Sequence, residues 1–304
     1  MLATSDRARP SLISEGRCPR RMGVTDCHVH INPLWEMHPD ALALVGHIDP
    51  EKARMVKEPR RFLEYLDRSG VERAVLVNYV AQEVIGYTEA ANTFVSQFSR
   101  EDPDRLIAAG GIRPDHPDPD GEIHRLVHDL GIRALKLHPA HQLFAPNAYV
   151  DGKLTGLKAI YRACEREKVP VIFHTGTSVF PRARNRFADP MLVEDVAVDF
   201  PDLTIVLAHG GRPIWTSTAV FLARRFPNVW LEVSGIPPSR LLEYFPNLDR
   251  IAGKVLFGTD WPGPGVKDIG GNLEAFRALP LPADDQRRIL EENPLRVFPR
   301  RGPN

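Results

Sequence analysis

Along the chain, short runs of apolar and mostly β-branched residues alternate with longer stretches in which apolar residues return every three or four positions. The short runs predict strands at 24–30, 73–80, 106–112, 134–138, 169–174, 203–209, 229–234 and 254–260. Helical spacing fills the intervals. Phe62, Leu63 and Leu66 share a face of a helix that Gly70 ends, and further helices are expected at 88–100, 126–130, 191–200, 217–226, 241–251 and within 272–298. Leu157, Ile160, Tyr161 and Cys164 fall at i, i+3, i+4 and i+7, which makes Cys164 a core residue.

Strand and helix in strict alternation imply an α/β protein, a parallel (β/α)8 TIM barrel with outer helices. Pro114, Pro139 and Pro262 fit because each stands just after a strand and blocks its continuation. An open doubly wound sheet is the competing architecture. It wants a Gly-rich phosphate turn after its first strand, and HVHINP offers none. Nothing rich in Gly, Ser or Pro divides the chain, so 23–304 is expected to be one domain. Residues 1–22 hold five arginines and no apolar core of a signal peptide, and they read as a disordered tail or as the product of a start upstream of Met22.

Lys plus Arg and Asp plus Glu both number 39, so no net field draws the chain to nucleic acid or an anionic membrane. No apolar run is long enough to span a bilayer. Three cysteines without a CxxC pair argue against a disulfide framework and for a reducing, cytoplasmic compartment. If the chain assembles at all, a homodimer packed through outer helices is the expected form.

The chemistry concentrates in the histidines, of which there are eleven. His28, His30, His138, His174 and His209 close four of the predicted strands. Side chains alternate along a strand, so His28 and His30 face one way with Asp26 and Val24 beneath them. Ala134, Lys136 and His138 share a face of the fourth strand, and Leu256, Gly258 and Asp260 share one on the eighth. Barrel closure sets Asp260 beside His28 and His30, with His174 and His209 reaching the same point from across. Imidazole and carboxylate are what zinc and similar ions bind, and leaving so many polar groups unpaired inside a barrel is costly. His138 and His141 read as surface loop residues, with His138 a substrate contact if they turn inward. Asn78, Glu232 and Ser234 also face the expected interior, as partners of the histidines or as polar filling.

In order and spacing, TDCHVH, KLHP, VIFHTG, IVLAHGG, VLFGTDWP and NPLRVF resemble the amidohydrolase superfamily, in its second amidohydrolase family, across Thr25 to Phe298. That family includes aminocarboxymuconate semialdehyde decarboxylase and metal-dependent hydrolases and lactonases. The resemblance implies that His28, His30, His174 and Asp260 bind a divalent metal and that His209 is catalytic. One ion is expected, zinc before manganese. Lys136 stands where two-metal members carry a carboxylated lysine, so the alternatives are a second ion there or a lysine that pairs with a substrate carboxylate, Asp26 or Glu232.

The implied reaction is hydrolysis, by a metal-activated water, of an amide, ester or lactone bond in a small carboxylated or aromatic molecule. Asp260 would serve as base, and His209 would polarise the carbonyl or support the oxyanion. The alternative is non-oxidative decarboxylation of an aromatic or muconate-like acid. A barrel that binds without catalysis is the third possibility. Substrate contacts are sought in the loops that follow the strands: Trp35, Met37 and His38, Arg182, Arg184 and Arg186, Arg212 and Trp215, and Trp261, with Arg212 favoured among the arginines.

Overall fold

A computed structural model describes residues 22–46, 49–263 and 265–301. All but Met22 of the expected tail lies outside them, and so does Cys18. Eight parallel strands run in sequence order: β1 Thr25–Val29, β2 Arg73–Val77, β3 Leu106–Gly110, β4 Ala134–Leu137, β5 Val171–His174, β6 Ile205–Ala208, β7 Val229–Glu232 and β8 Val255–Leu256. The chain that continues β8 closes the barrel onto β1. Cys27 N–H donates to the Phe257 carbonyl at 2.9 Å, Asp260 N–H to His28 at 2.8 Å and His30 N–H to Trp261 at 2.7 Å. The (β/α)8 architecture is therefore present, and the open sheet is excluded.

Two apolar layers hold it. Val75, Val77, Ile107, Ala109, Ile172, Val206 and Leu256 fill the barrel interior, while Leu76, Leu135, Leu137, Phe173 and Leu207 face the surrounding helices. Each fully buried Ile, Leu or Phe contributes about 1.5–3 kcal/mol relative to exposure. The helix Gly156–Arg166 buries Leu157, Ile160, Tyr161 and Cys164 against this outer layer, as its spacing requires. Asp118, Asp189 and Asp268 accept backbone N–H bonds at the starts of their helical segments. The final helix, Asn293–Val297, seats Val297 and Phe298 with the interior layer and plugs the end where the strands begin. Among the described residues, no helix is long and apolar enough to cross a membrane.

All strands but β5, which ends at His174 as expected, end one to four residues sooner than the apolar runs suggest. At β6 the cause is backbone conformation, because His209 (φ +64°), directly after Ala208, sits in the left-handed region, as does Asp260 (φ +69°) further along the continuation of β8. A non-glycine residue there costs about 1–2 kcal/mol, and tight packing holds both residues in place. Strict alternation fails on β1. Its register shifts between Asp26 and Val29, so Cys27 joins the interior layer while Val24 packs outside. Asp26 is instead held by strand eight's continuation, accepting from Thr259 N–H at 3.0 Å and from the Thr259 hydroxyl at 2.7 Å, and from His28 N–H at 3.1 Å.

Candidate active site

At the carboxyl end of the barrel the chain leaves a cavity of about 360 Å³, of a size that suits a small molecule. His30, Lys136, His138, His174, His209, Arg212 and Asp260 all line it. His28 stands just beneath. Asp260 Oδ1 is 3.1 Å from His30 Nε2 and 3.7 Å from His28 Nε2, and Asp260 Oδ2 is 3.9 Å from an Arg212 Nη. One ligand atom each from His28, His209 and Asp260 lies within 4.8 Å of the others. The His174 ring is centred 4.7 Å from that of His209.

Hydrogen bonds set which nitrogen of each ring faces the centre. His28 Nδ1 donates to Glu232 Oε2 at 2.8 Å, and His30 Nδ1 to the Val77 carbonyl at 3.0 Å. His209 Nδ1 lies 3.2 Å from the Ser234 carbonyl and 2.9 Å from its hydroxyl, which itself donates to Glu232 at 2.8 Å. A carbonyl can only accept, so Nδ1 carries the proton in His30 and His209, and in a neutral ring Nε2 is then a bare lone pair. With Nδ1 turned to Ser234, a neutral His209 ring presents an acceptor at Nε2. Glu232 is the hub, since Ser234 N–H also donates to it at 2.5 Å. Gly258 makes room for it, because a Cβ there would lie 2.5 Å from Glu232 Oε1 and 2.8 Å from His28 Cβ.

Burial shapes the charges. It pushes His28, His138, His174 and His209 well below the ordinary imidazole range, so these rings are neutral at neutral pH. It raises Glu232 to about 7 against the Ser234 hydrogen bonds, and lowers Lys136 to about 8 against the pull of Glu232 and Asp260. Burial works to raise Asp260 too, but His30, His28 and Arg212 outweigh it and hold that carboxyl below its usual range.

The donor set fits a divalent cation. The Nε2 atoms of His30 and His28 face a carboxylate oxygen at 3.1 and 3.7 Å, an arrangement of potential ligand atoms that a cation between them would stabilise. His28 Nε2 and His174 Nε2 are buried without a hydrogen-bond partner among the described residues. The Nδ1 contacts supply the outer support expected of metal-binding histidines.

Along the whole barrel, residues 25–300 match the family model described as Amidohydrolase. The chain belongs to the amidohydrolase family. A 2-pyrone-4,6-dicarboxylate hydrolase of Comamonas testosteroni is 32% identical over 142 residues, 34% of this chain and 46% of that relative, so the match spans less than half of the relative's length. An uncharacterized TIM-barrel protein of Bordetella bronchiseptica has a TM-score of 0.70 at 24% identity, covering 90% of this chain and 97% of that one. A 2,6-dihydroxybenzoate decarboxylase from Rhizobium has a TM-score of 0.66 at 19% identity, covering 91% and 98%. These two structures share the fold.

Several expectations for this amidohydrolase need correction. His138 and His141 are not surface residues; they are 4% and 2% exposed and stack with His174 in a column at 3.5 and 3.7 Å spacing. Trp261 makes no cavity contact, because it is fully buried outside the barrel, stacked on Phe62 at 5.7 Å. Trp35 is 57% exposed against Phe94, and Arg182 pairs with Asp40 at 2.9 Å on the surface. Asn78 ties the end of β2 to the Ile31 carbonyl, not to a histidine. Lys136 Nζ has no hydrogen-bond partner among the described residues, so neither Asp26 nor Glu232 claims it. Tyr79, Tyr87 and Ser178 also line the cavity, although nothing in their spacing set them apart from ordinary loop residues.

Proposed function

We propose that the chain is a metal-dependent hydrolase that cleaves an amide, ester or lactone bond in a small carboxylated or aromatic molecule held in this cavity. One observation carries the reading: the Asp260 carboxylate faces the cavity, with Oδ1 3.1 Å from His30 Nε2 and 3.7 Å from His28 Nε2. Hydrolysis needs a proton acceptor at that point, whereas decarboxylation needs a group that delivers a proton to carbon. Asp260 and the inward nitrogens of His28, His30 and His174 would hold one divalent ion, zinc or manganese. When bound, such an ion supplies the Lewis acidity that makes water nucleophilic near neutral pH.

Asp260 accepts the proton of the attacking water and returns it to the leaving group. His209, with Nδ1 protonated against Ser234, offers a second acceptor beside it. The developing oxyanion falls to the free donors on the cavity wall, Lys136 Nζ and Arg212 Nε, both without a partner among the described residues. Arg212 is steadied by a 3.3 Å bond from Nη1 to the Thr177 carbonyl. His138 Nδ1, also unpartnered, is available to a substrate oxygen or N–H.

The test pairs elemental analysis of purified protein with chelation, refilling and assay of lactones, amides and hydroxybenzoates in H2(18)O. Metal-dependent turnover with one solvent oxygen in the product is the expected result. Release of CO2 without solvent oxygen would make the enzyme a carboxy-lyase, and metal-independent turnover would remove the ion from the scheme.

A further inference from the structure

A second polar group occupies the cavity wall beyond the charged centre. Ser178 Oγ is 2.7 Å from His141 Nε2, and His141 Nδ1 is 3.2 Å from the Tyr79 hydroxyl. All three residues line the cavity. The Tyr79 ring is centred 6.3 Å from that of His30, and the His141 ring 6.2 Å from that of His174, so one substituted six-membered ring can reach both groups. Ser178 is fixed in place, with its N–H donating to Asn185 Oδ1 at 2.8 Å and its carbonyl accepting from Asn185 Nδ2 at 3.1 Å.

The direction of this chain of bonds follows from counting protons. Burial drives the Tyr79 hydroxyl well above its ordinary range and pushes His141 down to about 3, so a phenol meets a neutral imidazole with a single N–H. Were that N–H on Nδ1, it would donate to Tyr79 and leave the buried phenol hydrogen without an acceptor, at a cost of about 1–3 kcal/mol. With the N–H on Nε2, Tyr79 donates to Nδ1 and Nε2 donates to Ser178 Oγ. Phe180 N–H takes the other Ser178 lone pair at 3.3 Å. The Ser178 hydroxyl hydrogen is then the only uncommitted member.

We propose that Tyr79, His141 and Ser178 form a one-way relay that makes Ser178 a hydrogen-bond donor to an acceptor oxygen of the substrate, a carbonyl, ether or ring oxygen set across from its carboxylate. The proposal deepens the reading of the cavity as a site for a small carboxylated ring and rests on it. Ser178 touches the substrate; Tyr79 and His141 are positioning residues.

Two measurements test it on the purified protein. Imidazole 15N shifts, with His141 assigned by its loss in His141→Gln, are expected to show the Nε2–H tautomer, and an Nδ1–H tautomer overturns the relay. Equilibrium binding then compares 3- and 4-methoxybenzoate with the matching ethylbenzoates, which keep the shape and lack the oxygen. Wild type is expected to favour one methoxy isomer about fivefold, the worth of one net hydrogen bond. Ser178→Ala should erase that preference and Tyr79→Phe should weaken it. An equal preference in wild type and Ser178→Ala overturns the proposal, as does no preference in wild type. Failure of every benzoate to bind would count against the carboxylated-ring reading, while the tautomer still decides the relay.

Discussion

The two ends of the barrel bury similar polar groups and treat them differently. Where the strands begin, the buried Arg73 gives Nη2 to the Phe298 carbonyl at 2.7 Å and Nε to that of Asp104 at 3.2 Å, and only its Nη1, Thr25 Oγ1 and Glu72 Oε2 lack a hydrogen-bond partner there among the described residues. Asn293 spends Nδ2 on the carbonyls of Ala252 and Val255 at 2.7 and 2.8 Å. Where the strands end, Lys136 Nζ, His28 Nε2, His138 Nδ1, His174 Nε2 and Arg212 Nε have no hydrogen-bond partner among the described residues. A buried polar group with backbone partners closes a structure, and one without them is an invitation to a ligand. The first end is read as stability and the second as chemistry, in keeping with where barrels of this kind place their sites.

The sharpest way to break this division is to change each end and look for the wrong kind of loss. Asp260→Asn should lower kcat by about 10³-fold or more, since base and ligand charge go together, while the melting temperature stays close to wild type and metal remains largely bound. Steady-state kinetics with elemental analysis would show it, and a variant retaining a tenth of wild-type activity would end the assignment of Asp260 as base. At the other end, Arg73→Met strands the carbonyls of Phe298 and Asp104. A loss of about 2–4 kcal/mol in denaturant unfolding is expected, with kcat per folded molecule unchanged. A catalytic defect without a stability defect would contradict the comparison.

Glu232→Gln probes the border between the two behaviours, because Glu232 is a satisfied buried acid whose task is to orient His28 and Ser234. Glutamine keeps the shape but weakens the acceptor. Metal affinity, measured by competition with a chelator, should fall by about 10–100-fold, less than the catalytic loss from Asp260→Asn. An unchanged affinity would make Glu232 structural, like Arg73.

Much of this division was legible in the sequence because period and position carry it. The Ala134, Lys136, His138 face survived, and Asp260 lies beside the HxH pair once the barrel closes. Where reading failed, a local interaction overrode the period. The β1 register shift moved Cys27 inward, and a left-handed conformation at His209 cut β6 short. Trp261 looked like a recognition residue because it follows Asp260, but Phe62 and Tyr65 claim its ring. His141, on the short helix Pro139–Gln142, and Ser178, in the loop after β5, are brought to 2.7 Å only by folding, so no spacing could have paired them.

The smallest effect expected, and the one that bears most on metal count, lies in the pH dependence of Lys136. Burial lowers its ammonium to about 8, so the cation is present below that pH and lost above it. If the cation holds the substrate's negative charge, kcat/KM should fall as pH rises through about 8, by at most tenfold per unit. A bound divalent ion opposes a neighbouring cation and shifts the limb lower still. Lys136→Met should lower kcat/KM at pH 7 and abolish the limb, leaving the profile flat across it. A carboxylated lysine between two ions behaves otherwise, since it carries no ammonium to titrate. The wild-type limb would then be absent, two metals would be found per chain, and activity would depend on bicarbonate during refilling. The unpartnered Nζ thus ties one side chain to two outcomes that a pH profile and a metal count separate together.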